Sequence, residues 1–155
     1  MQQHQAHKTP ITSQSPVFKI EWISAGIDTD ARQFMEDFGQ YLCDRQQGDN
    51  RPGFKAMTTS QIRNVFSEVK RISTSLSENV QWTEWEEYPT FLMLRPKIAY
   101  NTARALARTR DSRMIDFKKV FDAAHEQVTG PEQFRRFMML LEGIIAYHKV
   151  YGGKE

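Results

Sequence analysis

Thr58-Thr59-Ser60-Gln61-Ile62-Arg63-Asn64-Val65-Phe66-Ser67-Glu68-Val69-Lys70-Arg71-Ile72 carries both a helix start and a helix period. Thr58 followed three residues later by Gln61 fits a capping box, in which hydroxyl and amide each satisfy a backbone N–H that the first helical turn leaves unpaired. Beyond it Ile62, Val65, Phe66, Val69 and Ile72 recur at intervals of three and four, which makes one face apolar. Arg63, Ser67, Lys70 and Thr74 fall on the opposite face as a polar stripe with two cations, and Arg71 stands beside it. A segment so patterned buries one side of a helix and wets the other.

The same reading extends in both directions. Upstream, Asp28 is a suitable N-cap for a helix in which Ala31, Phe34, Met35, Phe38, Tyr41 and Leu42 recur at helical spacing, and Gln46 to Gly53 ends it in a loop of Gly, Pro, Asn and Asp. Downstream, a helix starts near Pro89 or Thr90 with Phe91, Leu92 and Leu94 packing inward, and Pro96 bends or restarts it. Asp111 or Ser112 opens a fourth helix with Met114, Phe117, Val120, Phe121, Ala124 and Val128 inside. Thr129-Gly130-Pro131-Glu132 reads as a second capping box, followed by Phe134, Phe137, Met138, Leu141, Ile144, Ile145 and His148 on one stripe, and Tyr151-Gly152-Gly153 ends that helix. Val17 to Ile23 alternates as a short extended segment or anchoring clip, although no second strand is available to pair with it. Met1 to about Pro16, rich in Gln, Ser, Thr and His, lacks an apolar period and is expected to be a disordered tail; His4 and His7 within it are assigned no function. The expected fold is all-α: a disordered tail over 1–16 and a single domain over 17–155, a compact bundle of about five amphipathic helices.

With 155 residues, 39% of them apolar, the chain has the material for one modest core. No apolar run approaches the roughly 18 residues of a membrane span, and the N-terminus lacks a charged start followed by a hydrophobic block, so a soluble, cytoplasmic protein is expected with no membrane partner. The single Cys43 excludes an intramolecular disulfide and reads as a buried, inert thiol.

The net charge of +2 conceals an asymmetry. Residues 1–90 hold nine Lys/Arg against twelve Asp/Glu, net −3, whereas residues 91–155 hold twelve against seven, net +5. Between Arg95 and Lys119 eight cations face only Asp111 and Asp116. The centre of that region is Leu94-Arg95-Pro96-Lys97-Ile98-Ala99-Tyr100-Asn101-Thr102-Ala103-Arg104. At helical spacing Lys97, Asn101, Arg104 and Arg108 form one narrow stripe with Tyr100 at its flank, while Ile98, Thr102, Ala105 and Leu106 occupy the other side. Aligned donors beside an aromatic ring suit a regularly spaced polyanion such as nucleic acid. The competing reading is an ordinary solvated helical face.

Reactive constellations are missing. The sequence has no CxxC pair, HExxH, GxSxG, P-loop or GxGxxG. His125 and His148 occur singly at the margins of apolar stripes, as hydrogen-bonded core histidines do, and Asp28 and Asp30 are favoured in a first turn by the helix dipole without any metal. Trp82 and Trp85, among Glu78, Glu84, Glu86 and Glu87, either dock a partner or cap the core while the glutamates stay wet. Neither an enzyme nor a cofactor or metal is expected.

Three segments, taken together and in order, resemble a known family. Ile62 to Ile72, Leu94 to Arg104, and Phe137 to Lys154, which ends Ile-Ala-Tyr-His-Lys-Val-Tyr-Gly-Gly-Lys, are similar to the small helical subunit of type III-A CRISPR effector complexes, the Csm type. The resemblance covers about Thr58 to Lys154 and none of the first 57 residues. It implies a non-catalytic subunit of an antiviral ribonucleoprotein. Several copies would stack beside the backbone subunits and line the channel holding crRNA and target RNA, with the large subunit as a further partner. Phosphate contacts by Lys and Arg are sequence-independent, and base pairing reads the sequence, so such a subunit needs a basic stripe and no pocket. The RNA-binding set expected on these grounds is Arg63, Lys70, Arg71, Lys97, Arg104 and Arg108, supported by Arg95 and Tyr100, with Lys149 added although a cation there also complements its helix dipole. The alternative is a helical protein–protein interaction module without direct nucleic-acid binding; a DNA-binding helical protein is a third reading.

Overall fold

Residues 15–43, 56–108 and 112–152 are described by the computed structural model, and every regular element among them is a helix. These are α1 (Glu21–Ser24), α2 (Thr29–Cys43), α3 (Thr59–Ser73), α4 (Tyr88–Arg108), α5 (Met114–Glu126) and α6 (Pro131–Val150), with a 3-10 turn at Trp82–Glu84. The all-α expectation holds. Five long helices carry the fold and α1 is a single turn. The loop expected at Gln46 to Gly53, residue Asp111, Gly153 and the tail up to residue 14 lie outside the described residues.

Side-chain hydrogen bonds hold three of the six helix starts. Asp28 Oδ1 accepts from the Ala31 N–H at 2.9 Å. In the capping box of α3 the Gln61 N–H donates to Thr58 Oγ1 at 3.1 Å and the Thr58 N–H to Gln61 Oε1 at 2.9 Å. Ser112 Oγ accepts from the Met114 N–H at the start of α5. The second expected box does not form. The N-cap of α6 is Gly130, one residue later than Thr129, with no side-chain cap. Pro131 occupies the first helical position, where its missing N–H leaves one donor fewer to satisfy, and Glu132 turns instead to Arg136 at 2.7 Å.

Val17 to Ile23 is also corrected. With no strand among the described residues to pair with, its backbone closes a helical turn, Ser24 N–H donating to Ile20 O at 3.1 Å and Ala25 N–H to Glu21 O at 2.8 Å. The spacing that matters is i, i+4: Phe18 and Trp22 meet edge to face at 5.7 Å and both rings pack on Phe34. Buried Trp22 and Ile23 make it the anchoring clip, helical rather than extended. Pro96 sits inside an unbroken α4, so the helix does not restart there, and Leu92, expected inside, is 47% exposed. Phe91, Leu94, Ile98, Thr102 and Ala105 already define the buried stripe, and Leu92 lies about 100° round the helix from Phe91. Cys43 is half-buried rather than buried, its thiol 3.4 Å from Tyr151 O.

The most extensive contact is α2 against α6, which also packs on α1 and α3; α4 packs on α3, α5 and the 3-10 turn. Two helical glycines permit the α2–α6 approach. A Cβ at Gly39 would lie 2.8 Å from His148 N and 2.9 Å from Ile144 O, and one at Gly143 would overlap Met35 Sδ. An aromatic cluster fills the other half, with Phe91, Phe121, Phe134 and Phe137 at mutual edge and tilted contacts. Trp82 and Trp85 stack at 5.4 Å and close that cluster against Phe91 and Phe134, Trp85 donating from Nε1 to Ser75 Oγ at 3.0 Å. The tryptophans therefore cap the core, while Glu78, Glu84 and Glu86 stay exposed.

Both buried histidines are spoken for. His125 Nε2 lies 2.8 Å from Phe91 O with its ring stacked on Phe91, and His148 Nε2 lies 2.9 Å from Met57 O. Each joins a helix to a separate segment by donating to a carbonyl. Burial lowers both pKa values below the ordinary 6.5. Because these groups stay neutral in the fold and take up protons when unfolded, their contribution to stability is complete above pH 6.5 and falls as the pH drops below it. Melting temperature is expected to decline between about pH 6.5 and pH 5, before Glu36 and Glu68, held below 4.5, protonate. A flat profile over that interval would contradict burial of the neutral imidazoles.

The glycine contacts give a second expectation. At Gly39 the obstructing atoms are α6 backbone and the Tyr147 Cβ fixed to it, so Gly39→Ala costs about 1–3 kcal/mol in overpacking, more than the roughly 0.5–1 kcal/mol a helical alanine returns. Met35 is flexible enough to yield, so Gly143→Ala is the milder change. Denaturant unfolding of the two variants checks the order, and Gly39→Ala as stable as the parent would refute the close approach.

Candidate nucleic-acid interface

α3 and α4 lie side by side and run in opposite directions. Gln61 and Asn64, early in α3, share a groove with Asn101, Arg104, Ala105 and Arg108, late in α4, and Met114 closes its end. Further along, Lys97 Nζ stands 3.4 Å from Glu68 Oε2. Beyond that, Arg71 is 3.1 Å from Glu68 and 3.4 Å from Glu87. The Lys97, Asn101, Arg104, Arg108 stripe thus borders the seam between the two helices. Successive rises along it are about 6, 4.5 and 6 Å, the scale of neighbouring phosphates on one strand.

The groove has two electrostatic halves. At the Lys97 end the cations are compensated: hydrogen bonds from Arg71 first, then the charge of Lys97, hold the Glu68 carboxyl below its ordinary range. These pairs are half-exposed and contribute little to stability. At the Arg108 end, Arg104 and Arg108 are exposed and meet no carboxylate among the described residues. The side-chain amides of Asn64 and Asn101 beside them make no hydrogen bond to described residues. Gln61 uses its Oε1 in the α3 cap. An uncompensated arginine pair with amide donors alongside is a surface ready to receive an anion.

The remaining sequence-selected residues lie elsewhere. Arg63 and Lys70 are exposed on the side of α3 turned away from the groove, about 120° round from the Gln61, Asn64, Glu68, Arg71 row, and Lys70 Nζ is 5.9 Å from the Phe66 ring centroid. Arg95 points toward α5, with Nε 3.4 Å from Asp122 Oδ1. Lys149 is exposed in the last turn of α6. Tyr100 is exposed beside the groove, its ring centroid 5.9 Å from the Arg104 guanidinium carbon. Gln61, Asn64 and Glu68, absent from the residues expected to bind RNA, also border the groove or its cations. Their spacing with Arg71 was readable, but which side of α3 meets α4 depends on tertiary packing.

The family model Csm2 Type III-A matches residues 44–154. The chain belongs to the Csm2 family of type III-A CRISPR systems. Among curated proteins it is similar to the CRISPR system Cms protein Csm2 of Streptococcus thermophilus, 30% identical over 108 residues that make up 69% of this chain and 82% of that one. No solved structure matches it. The family region contains α3 to α6 and so both walls of the groove. Membership makes the chain a structural subunit of a type III-A CRISPR complex, associated with other Csm subunits. Among the described residues no helix is long and apolar enough to cross a membrane, and no group of His, Cys, Asp and Glu is arranged to hold a metal.

The compensated half of the groove is open to direct measurement. Side-chain NMR titration should find the Glu68 carboxyl below 4.5, with Arg71→Ala relaxing it more than Lys97→Ala does, since the Arg71 hydrogen bonds dominate. The reverse order would mean that Lys97, not Arg71, governs the pair.

Proposed function

We propose that this chain lines the guide–target RNA channel of its complex without catalysis and holds the RNA through phosphate contacts along the seam of α3 and α4. The observation that carries the reading is the Arg104 and Arg108 pair, which meets no carboxylate among the described residues, in a groove furnished with Asn64 and Asn101. These two arginines take phosphates directly. Lys97 and Arg71 exchange Glu68 and Glu87 for phosphate, which weakens their share because a carboxylate must be displaced first. The amides donate to sugar and phosphate oxygens and give no sequence preference, as suits a subunit whose sequence is read by base pairing.

Arg63 and Lys70 form a second basic face on α3, Arg95 supports from the α5 side, and Lys149 lies at the far end of α6; these are the outer members of the proposed set. The partners in this reading are crRNA, target RNA, the backbone and large subunits, and further copies of the same chain. A short stripe makes few contacts, so repeated copies supply affinity through avidity. The setting is cytoplasmic. Within the alternative of a protein-interaction module, docking through the tryptophans is disfavoured, because Trp85 is buried and Trp82 packs on Phe91, and such a module would use exposed aromatics such as Tyr100.

Salt dependence tests the proposal. Affinity of the assembled complex for target RNA should fall log-linearly with salt, and Arg104→Ala with Arg108→Ala should lower the slope by about one unit per residue. An unchanged slope and affinity would refute the groove as the RNA contact, as would purification of the complex through this chain without guide RNA or backbone subunits.

A further inference from the structure

The exposed side of α4 next to the groove is apolar. Leu92, Met93, Pro96, Ala99, Tyr100 and Ala103 all face solvent, with Leu92 at 47%, Met93 at 52% and Tyr100 at 64% exposure, and no charge interrupts the row. Single exposed apolar residues need no explanation, but a continuous row bordered by cations does. Tyr100 is where the two surfaces meet. Among the described residues its hydroxyl makes no hydrogen bond and its ring meets no other ring. Arg104 stands one turn on, with its guanidinium carbon 5.9 Å from the ring centroid and no carboxylate of the described residues beside it, and Lys97 lies one turn back on the groove side. Ala103, the outward neighbour, is too small to cover the ring.

We propose that Tyr100, with Arg104 beside it, is a stacking site for an unpaired base of the RNA strand whose phosphates lie in the groove. The inference rests on the groove reading above. Charge complementarity selects this occupant. A protein covering the apolar row would have to bring its own carboxylates to Arg104 and Arg108, whereas a nucleotide carries an aromatic plane and an anion in one covalent unit. Every base has a π-face, so the site accepts any of the four, and guanidinium contact strengthens the stack. A base inside a duplex is already stacked on both sides. The site therefore takes nucleotides that are single-stranded or displaced from pairing.

The test compares two strands of equal length and charge, oligouridylate and its abasic counterpart, titrated with the full-length protein at low salt. Wild type should bind oligouridylate about fivefold to tenfold more tightly than the abasic strand. Tyr100→Ala should abolish that preference while leaving abasic affinity and the salt slope unchanged, and Tyr100→Phe should retain it. Equal weakening of both strands by Tyr100→Ala, or no change in either, would overturn the stacking site while leaving the groove intact. Indifference of both strands to Arg104→Ala with Arg108→Ala would remove the groove reading and this inference with it. If Tyr100→Ala left both affinities unaltered but stripped the chain from co-purifying Csm subunits, the face would belong to a protein and the proposal would be wrong.

Discussion

Gly39 has no side chain, and the α6 backbone fills the space one would occupy, with His148 N 2.8 Å from where a Cβ would stand. That approach makes α6 the central helix, with α1, α2 and α3 all packed on it. Once α6 is fixed, His148 reaches Met57 O and ties down the residue that precedes the α3 cap, so the start of α3 is set by a bond from the far end of the chain. α3 in turn supplies one wall of the groove. The other wall is held by a second buried histidine, since His125 on α5 donates to Phe91 O in the first turn of α4. Overpacking at one helix crossing would therefore propagate to a surface that makes no contact with it.

The helices were readable because their signals are local. Thr58 with Gln61, Asp28 with Ala31, and the apolar spacing of α2, α3, α5 and α6 all lie within one or two turns. Local signals mislead where a distant partner decides. Val17 to Ile23 alternates loosely enough to pass for a strand until Phe34 is seen to collect Phe18 and Trp22. Thr129 and Glu132 have capping-box spacing, but Pro131 moves the cap to Gly130. Leu92 sits among inward residues in sequence and outside them in space, as one residue of shift turns a helix by about 100°. Gly39 and Gly143 cost helix stability, and only the opposing helix explains their presence.

The same distinction governs the candidate interface. The stripe on α4 was legible from its own spacing, and so were the segments that resemble the Csm-type small subunit. Which cations stand together was not. Arg63 and Lys70 share α3 with Arg71 but face another way, and Arg95 is drawn to Asp122, while neutral Asn64 and acidic Glu68 complete the seam. Charge counting overvalues compensated cations. Half of this groove already contains carboxylates beside its cations, which leaves Arg104 and Arg108 as the charges without a carboxylate partner among the described residues.

The central claim, that RNA runs along the seam of α3 and α4, is tested most directly by photo-crosslinking 4-thiouridine-substituted target RNA to the complex purified through this chain and sequencing the attached peptides. Crosslinks should fall in α4 between Met93 and Arg108 and in α3 between Gln61 and Arg71. Attachment confined to α1, α2 and α6, or a complex whose RNA never crosslinks to this chain, would contradict it.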